Sequence, residues 1–130
     1  MSTIFTKIID GEIPSYKIAE DDKFYAFLDI NPLAKGHTLV VPKKEVNYIF
    51  DIEDDLLSEM IIFAKKIAKA IEKSITCERI GVTVIGLEVP HAHIHLIPIN
   101  SITDMDFYKA KLSLSKQEFE KITDSIINNL

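Results

Sequence analysis

Tryptophan is absent from the 130 residues, and cysteine occurs once, at Cys77. One thiol cannot close an internal disulfide and has no partner for a cysteine-based zinc site, so the chain reads as a protein of a reducing compartment. Cys77 itself reads as a small buried apolar residue. The four glycines and five prolines are scattered along the chain, leaving no linker, repeat or low-complexity stretch. No apolar run approaches the roughly 20 residues of a membrane span. The N-terminal stretch MSTIFTKIIDGEIPS carries charge, Gly and Pro where a signal peptide needs an apolar core. These absences predict a cytoplasmic chain without a membrane partner, forming one domain over residues 1–130. Positive charge is also short: 15 Lys and Arg against 20 Asp and Glu give a net charge of -5. That balance argues against nucleic acid as a partner, although a local anion site needs only a few donors.

What is present is a sequence rich in periodic apolar pattern. Tyr16–Glu20 and Lys23–Leu28 are short β-prone runs flanking a turn at Asp21-Asp22. Asn31-Pro32 and Lys35-Gly36 then interrupt the chain before a third strand, His37–Val41, which Pro42 ends. From Asp51 the period changes to a helical one. Leu56, Leu57, Met60, Ile61, Ala64, Ile67, Ala68 and Ile71 recur at that spacing, with lysines and Glu72 on the other face. Asp51 is placed to cap this helix, and Glu53, Asp54 and Asp55 suit its positive end. Ile80–Ile85 and His91–Ile97 supply two more strands. Ser115 and Glu118 then form a capping box, with Leu114 and Phe119 as its hydrophobic staple. The last helix should bury Phe119, Ile122 and Ile126. The pattern predicts an α+β fold: an antiparallel β-sheet of about five strands with one long helix and a C-terminal helix.

Three of the chain's four histidines lie within residues 91 to 95 of the run His-Ala-His-Ile-His-Leu-Ile. In a β-strand, side chains alternate faces, so His91, His93 and His95 point one way while Ala92, Ile94 and Leu96 point into a core. Successive imidazoles are then anchored roughly 6.6 Å apart on a rigid rod. With an ordinary pKa of about 6.5, they are equipped to attack, take or give protons near neutrality.

Solvation or packing accounts for one such histidine more readily than for three. A metal site is the serious rival, because histidines at i and i+2 on a strand can share one zinc, with His37 or an Asp as a third ligand. His91 and His95 stand roughly 13 Å apart along an extended strand, which makes closing all three on one ion difficult. Nucleophilic attack on phosphorus fits better. A neutral imidazole in line with a phosphoryl group can displace an amine or phosphate and become a phospho-histidine, splitting one hard step into two. Flanking imidazoles then orient the nucleophile and donate hydrogen bonds to oxygens gathering charge, without a metal or other cofactor.

The run matches the His-x-His-x-His-x-x signature of the histidine triad (HIT) family of nucleotide hydrolases and transferases. TIFTKIIDGEIPS at 3–15, FLDINPLAKGHTLVVPKK at 27–44 and PHAHIHLIPI at 90–99 resemble, in order and spacing, the corresponding segments of its Hint branch. The related uridylyltransferase branch has His-Pro-His, where this chain has His93-Ile94-His95. The resemblance implies a HIT-like fold that acts on purine nucleotides as a homodimer. It implies that His93 is the nucleophile that takes the nucleoside monophosphate, that His95 contacts the phosphate or leaving group, and that His91 and His37 support them. It further places Asp29 on the ribose hydroxyls, and Phe5, Ile8, Ile13, Phe27 and Ile30 around the base. Physically, a carboxylate accepting two sugar hydroxyls makes charge-assisted bonds, while the five apolar residues also read as ordinary core.

There are departures from the family pattern. Thr3 and Thr6 stand where many bacterial members have cysteines that help hold a structural zinc, so no metal is expected there. The Asn and Gln that commonly flank a Gly-rich phosphate loop are missing from the short link Val82–Pro90. Gly86 is then the position for a backbone N–H approaching phosphate, with the Leu87 and Glu88 main chain beside it. Three functions are in view: hydrolysis of a purine nucleoside phosphoramidate of the AMP-amine type, hydrolysis of a dinucleoside polyphosphate, and nucleotide binding with little turnover.

Overall fold

The computed structural model describes residues 2–130. Five strands, β1 (Lys17–Glu20), β2 (Phe24–Leu28), β3 (Thr38–Pro42), β4 (Arg79–Thr83) and β5 (Ile94–Ile99), form one sheet in the order β1-β2-β3-β5-β4, every neighbouring pair antiparallel. Three helices accompany it: α1 (Ile4–Ile9), α2 (Asp54–Ser74) and α3 (Lys116–Asn128). The predicted α+β sheet with a long and a C-terminal helix is thus the observed architecture.

Both faces of the central strands are covered, which explains their unbroken burial. Strand alternation sends Phe24, Ala26, Leu28, Val40, Ile94 and Leu96 to one face, where Met60, Ala64, Ile67 and Ile71 of α2 and Phe119, Ile122 and Ile126 of α3 complete the core. Each such large apolar side chain contributes roughly 1.5–3 kcal/mol by leaving water. Tyr25, Phe27, Leu39 and Val41 go to the other face and meet Phe5 and Ile8 of α1. The sheet therefore separates a structural core from a smaller cluster that lies beside the histidines.

Local chemistry fixes the helix ends. Ser115 Oγ accepts from Glu118 N at 3.1 Å while Glu118 Oε1 accepts from Ser115 N at 3.2 Å, which is the expected capping box. Asp51 does not cap α2. It sits in a 3-10 turn, Ile49–Asp51, after which Ile52 turns into the core, and the helix starts from Glu53 without a side-chain cap bond. Asp54 and Asp55 still occupy the first turn, where acidic charge suits the helix dipole. Cys77 is half-buried rather than buried.

Two deviations from the expected elements bear on the site. The short α1 lacks a periodic signature; its start is set by Thr3, whose Oγ1 accepts from Thr6 N at 3.1 Å. β5 begins at Ile94, not at His91. The His91 N–H turns back to Val89 O at 2.8 Å and the Ala92 N–H goes to Val46 O at 2.7 Å, so neither joins the sheet ladder. Alternation survives this change: Ala92, Ile94 and Leu96 enter the helix-side core as expected.

Candidate active site

His37 precedes β3, and the turn before it requires Gly36. That residue has φ +92°, and a Cβ there would lie 3.0 Å from Ile75 Cγ1. Pairing of β3 with β5 sets Leu39 opposite His95 and brings His37 Nε2 to 2.9 Å from His95 Nδ1. His91 and His93, just before β5, flank Phe5. The Phe5 ring stands edge-on to both, with centroids 5.7 Å from His91 and 5.0 Å from His93. All four histidines are buried, and His93 and His95 lie edge to face at 5.0 Å.

Hydrogen-bond direction assigns each ring its tautomer. The Leu33 N–H donates to His37 Nδ1 at 3.0 Å, so the neutral His37 ring carries its proton on Nε2 and donates it to His95 Nδ1. His95 therefore carries its own proton on Nε2. His91 Nε2 faces the Pro42 carbonyl at 2.7 Å, an acceptor only, so it donates, and His91 Nδ1 accepts from Thr3 Oγ1 at 2.7 Å. His93 Nδ1 donates to the His91 carbonyl at 2.8 Å, which leaves the lone pair of its neutral ring on Nε2. Among the described residues no buried side-chain nitrogen or oxygen lacks a partner, and neither Nε2 of His93 nor Nε2 of His95 has one in the protein, so both reach solvent. One is an acceptor and the other a donor.

Burial also sets the charge of the supporting rings. Desolvation, reinforced by the neighbouring His95, Lys111 and His93, pushes His37 down to about 3; desolvation followed by His93 pushes His95 to about 4. Both are neutral at pH 7. His91 is lowered as well, mainly by burial, against the pull of Pro42 O and Glu45. Asp29 is raised by burial, although the Asn31 N–H it accepts at 2.8 Å works the other way.

His93 and His95 open into a cavity of about 260 Å³. Its walls include Phe5, Ile8, Ile13, Phe27 and Ile30, and Asp29 and Glu88 also border it. Of the residues singled out in the sequence, Gly86 and Leu87 are not brought here. They border another hollow with Tyr48, Phe50 and Ile85, and the Leu87 side chain is 88% exposed. A larger depression of about 450 Å³ lies near Glu20, Lys23 and Glu59 and holds no histidine.

Donor chemistry decides between metal and hydrogen-bond readings. Asp29, His37 and His95 place ligand atoms within 4.8 Å of one another, yet a metal would need the lone pair of His37 Nε2, and Leu33 N–H fixes that nitrogen as the protonated one. At Thr3 and Thr6, where many bacterial family members have zinc-holding cysteines and no metal is expected, Thr6 Oγ1 donates to Glu45 Oε1 at 2.5 Å, which also accepts from Thr3 N at 2.8 Å, while Thr3 holds His91. Two neutral hydroxyls and one carboxylate do not make a structural zinc set of thiolates and imidazoles. This latch ties α1, the strand-end segment and the first histidine together by hydrogen bonds.

Sequence reasoning missed Thr3 as a partner, Glu45, the Leu33 amide and Phe107. The Phe107 ring packs edge-on to His95 with centroids 4.9 Å apart. Only the Ser/Thr-x-x pattern of an N-cap at Thr3 offered a local signal; the other contacts join residues remote in sequence.

Residues 10–102 match the HIT domain family model. An uncharacterized HIT-like protein of Borreliella burgdorferi is 36% identical, the alignment covering 98% of this chain and 97% of that protein. The adenosine 5'-monophosphoramidase HNT1 of Candida albicans is 42% identical over 75% of this chain and 70% of its own length. Among solved structures, a Hit-like protein involved in cell-cycle regulation from Bartonella henselae superimposes with a TM-score of 0.85 at 34% identity, covering 99% of this chain and 97% of that one. Fold, histidine geometry and these similarities agree: the chain belongs to the histidine triad (HIT) family.

Proposed function

We propose that this protein is a nucleotide hydrolase that cleaves purine nucleoside phosphoramidates of the AMP-amine type at the α-phosphorus, through a nucleotide carried covalently on His93. The observation that carries this reading is directional: the His93 Nε2 lone pair and the His95 Nε2–H donor lie side by side at one cavity. In the first step His93 Nε2 forms a bond to phosphorus as the phosphorus–nitrogen bond breaks; the departing amine takes its proton from water. The attacking ring becomes an imidazolium, and the His91 carbonyl on Nδ1–H stabilises that charge at 2.8 Å. His95, neutral and holding one ring proton, donates a hydrogen bond to a phosphoryl oxygen rather than a proton. Water then attacks phosphorus, its proton passing to the hydroxide left by the first step, the His93–phosphorus bond breaks with its electron pair returning to Nε2, and the nucleoside monophosphate leaves. Asp29 receives the ribose hydroxyls, and the Phe5, Ile8, Ile13, Phe27 and Ile30 walls receive the purine. The monophosphoramidase name of the Candida albicans relative agrees with this leaving group.

The same reading includes a cytoplasmic homodimer. Among the described residues no helix is long and apolar enough to cross a membrane. β4 is an edge strand with Val82 exposed, and exposed Tyr48, Phe50, Ile85 and Leu87 border a nearby hollow, a surface that suits a second copy. Sedimentation analysis tests the dimer, which a monomer at micromolar concentration would rule out.

The activity test is turnover of adenosine 5'-phosphoramidate by wild-type protein and His93→Ala, each with and without EDTA. Release of AMP that survives chelation and vanishes in the variant is expected, together with an acid-labile adenylate on wild-type protein. Loss of turnover on chelation, or turnover by His93→Ala, would sink the proposal.

A further inference from the structure

The family match ends at residue 102, and the segment beyond it returns to the histidines. Ser101 and Asp104 cap a 3-10 turn at Ile102–Met105. Phe107 follows, its ring 4.9 Å from that of His95 and 6.2 Å from that of His37, edge-on to both. Leu112 N–H donates to Pro32 O at 2.8 Å, which clips the segment to the loop that follows Asp29. Between these anchors, Lys111 Nζ stands 5.8 Å from the centre of the Phe107 ring and donates to Phe107 O at 2.5 Å.

We propose that Lys111, held on the Phe107 platform beside His95, is the cation that meets the phosphate of a bound nucleotide. The inference rests on the nucleotide reading of the cavity and adds a residue to it. A nucleotide phosphate is anionic, yet the titratable groups around His93 supply little positive charge. Asp29 and Glu88 are carboxyl groups, and buried His37 and His95 are neutral at pH 7. Gly86 and Leu87, the backbone donors expected for phosphate, border a different hollow. The Lys111 ammonium, by contrast, acts on both Asp29 and His37, lowering the proton affinity of each. Its side chain is exposed, and its flexible four-carbon stem lets the head move while the clipped backbone stays. Exchanging the neutral Phe107 carbonyl for a phosphate oxygen turns a hydrogen bond with one charged partner into an ion pair with two.

Equilibrium binding of AMP and of adenosine to wild type, Lys111→Met and Lys111→Arg separates the possibilities. Lys111→Met keeps a chain that lies over Phe107 and removes the charge together with its hydrogen bond to Phe107 O, which Lys111→Arg can retain. We expect it to weaken AMP about tenfold, leave adenosine unchanged and flatten the salt dependence of AMP binding, with Lys111→Arg near wild type. Equal AMP preference in wild type and Lys111→Met would overturn the Lys111 assignment while leaving the nucleotide reading intact. Equal loss of AMP and adenosine would also overturn it, as the mark of a structural role. A wild-type protein that binds AMP no better than adenosine would overturn both.

Discussion

Acidifying the protein from pH 7.5 to pH 5.0 should cost it a large share of its stability, and the histidine pair should account for the loss. His37 and His95 titrate at about 3 and about 4 in the fold, whereas an unfolded imidazole binds its proton near 6.5. Their folded values are lowered, so between these limits the unfolded chain holds more protons and stability falls as pH falls. At pH 5.0 each unfolded imidazole gains roughly 2 kcal/mol from protonation that the folded ring forgoes, about 4 kcal/mol for the pair. That is a substantial part of the roughly 5–15 kcal/mol that holds a typical domain. His91, also lowered, adds in the same direction. Asp29 is raised and works oppositely: the folded state binds its proton more readily, so stability returns as pH falls through its folded value. Urea unfolding at the two pH values measures the net loss, and His95→Asn isolates one ring. The Asn side-chain oxygen can take the place of Nδ1 as acceptor for His37 Nε2–H, while the titrating group is gone. The variant should lose about 2 kcal/mol less than wild type on acidification. Identical losses in the two proteins, or a wild-type stability flat across this range, would refute the assignment of neutral buried rings.

Thr3→Val keeps the shape of the side chain but removes the donor to His91 Nδ1 and the cap of α1. It should destabilise by about 1–3 kcal/mol in urea titration, with Thr3→Ser retaining most of the stability. Gly36→Ala forces an L side chain to φ +92° against Ile75, so its calorimetric unfolding should report a loss of about 2 kcal/mol from backbone strain, with more if Ile75 cannot yield. Ile71→Ala empties a fully buried position in the α2-side core. It should cost about 2–5 kcal/mol in urea titration while leaving KM for the proposed phosphoramidate substrate unchanged at low temperature, because the sheet stands between it and the cavity.

The elements that sequence displayed are those whose partners are local. Ser115 and Glu118 lie three residues apart and cap α3 as their spacing implies. The helical stripe through Met60, Ala64, Ile67 and Ile71 is periodic within α2, and its buried face follows from that period. Asp51 shows the limit of the same reasoning: its side chain suits a cap, but burial of Ile52 decides where the chain turns. The short α1 is held by long-range contacts, Phe5 between two histidines and Glu45 at the helix start, which no local window contains.

The same distinction explains why the histidine run announced chemistry without assigning it. Spacing alone makes His91, His93 and His95 equivalent members of one alternating series. What differentiates them is the remote acceptor or donor each meets: Pro42 O takes the proton of His91 Nε2, and His37 supplies a proton to His95 Nδ1. His93 alone is held by a carbonyl within the run, that of His91, and this bond turns its lone pair outward to Nε2. The outward lone pair of His93, on which the proposed attack rests, is thus set by the bend that keeps residues 91–93 out of the β5 ladder. Had His91 begun a regular strand, as its alternation implies, its carbonyl would be directed to the sheet ladder and the tautomer of His93 would be free to change. The bend at residues 91–93, where alternation alone implies strand, fixes the tautomer that the proposed attack requires.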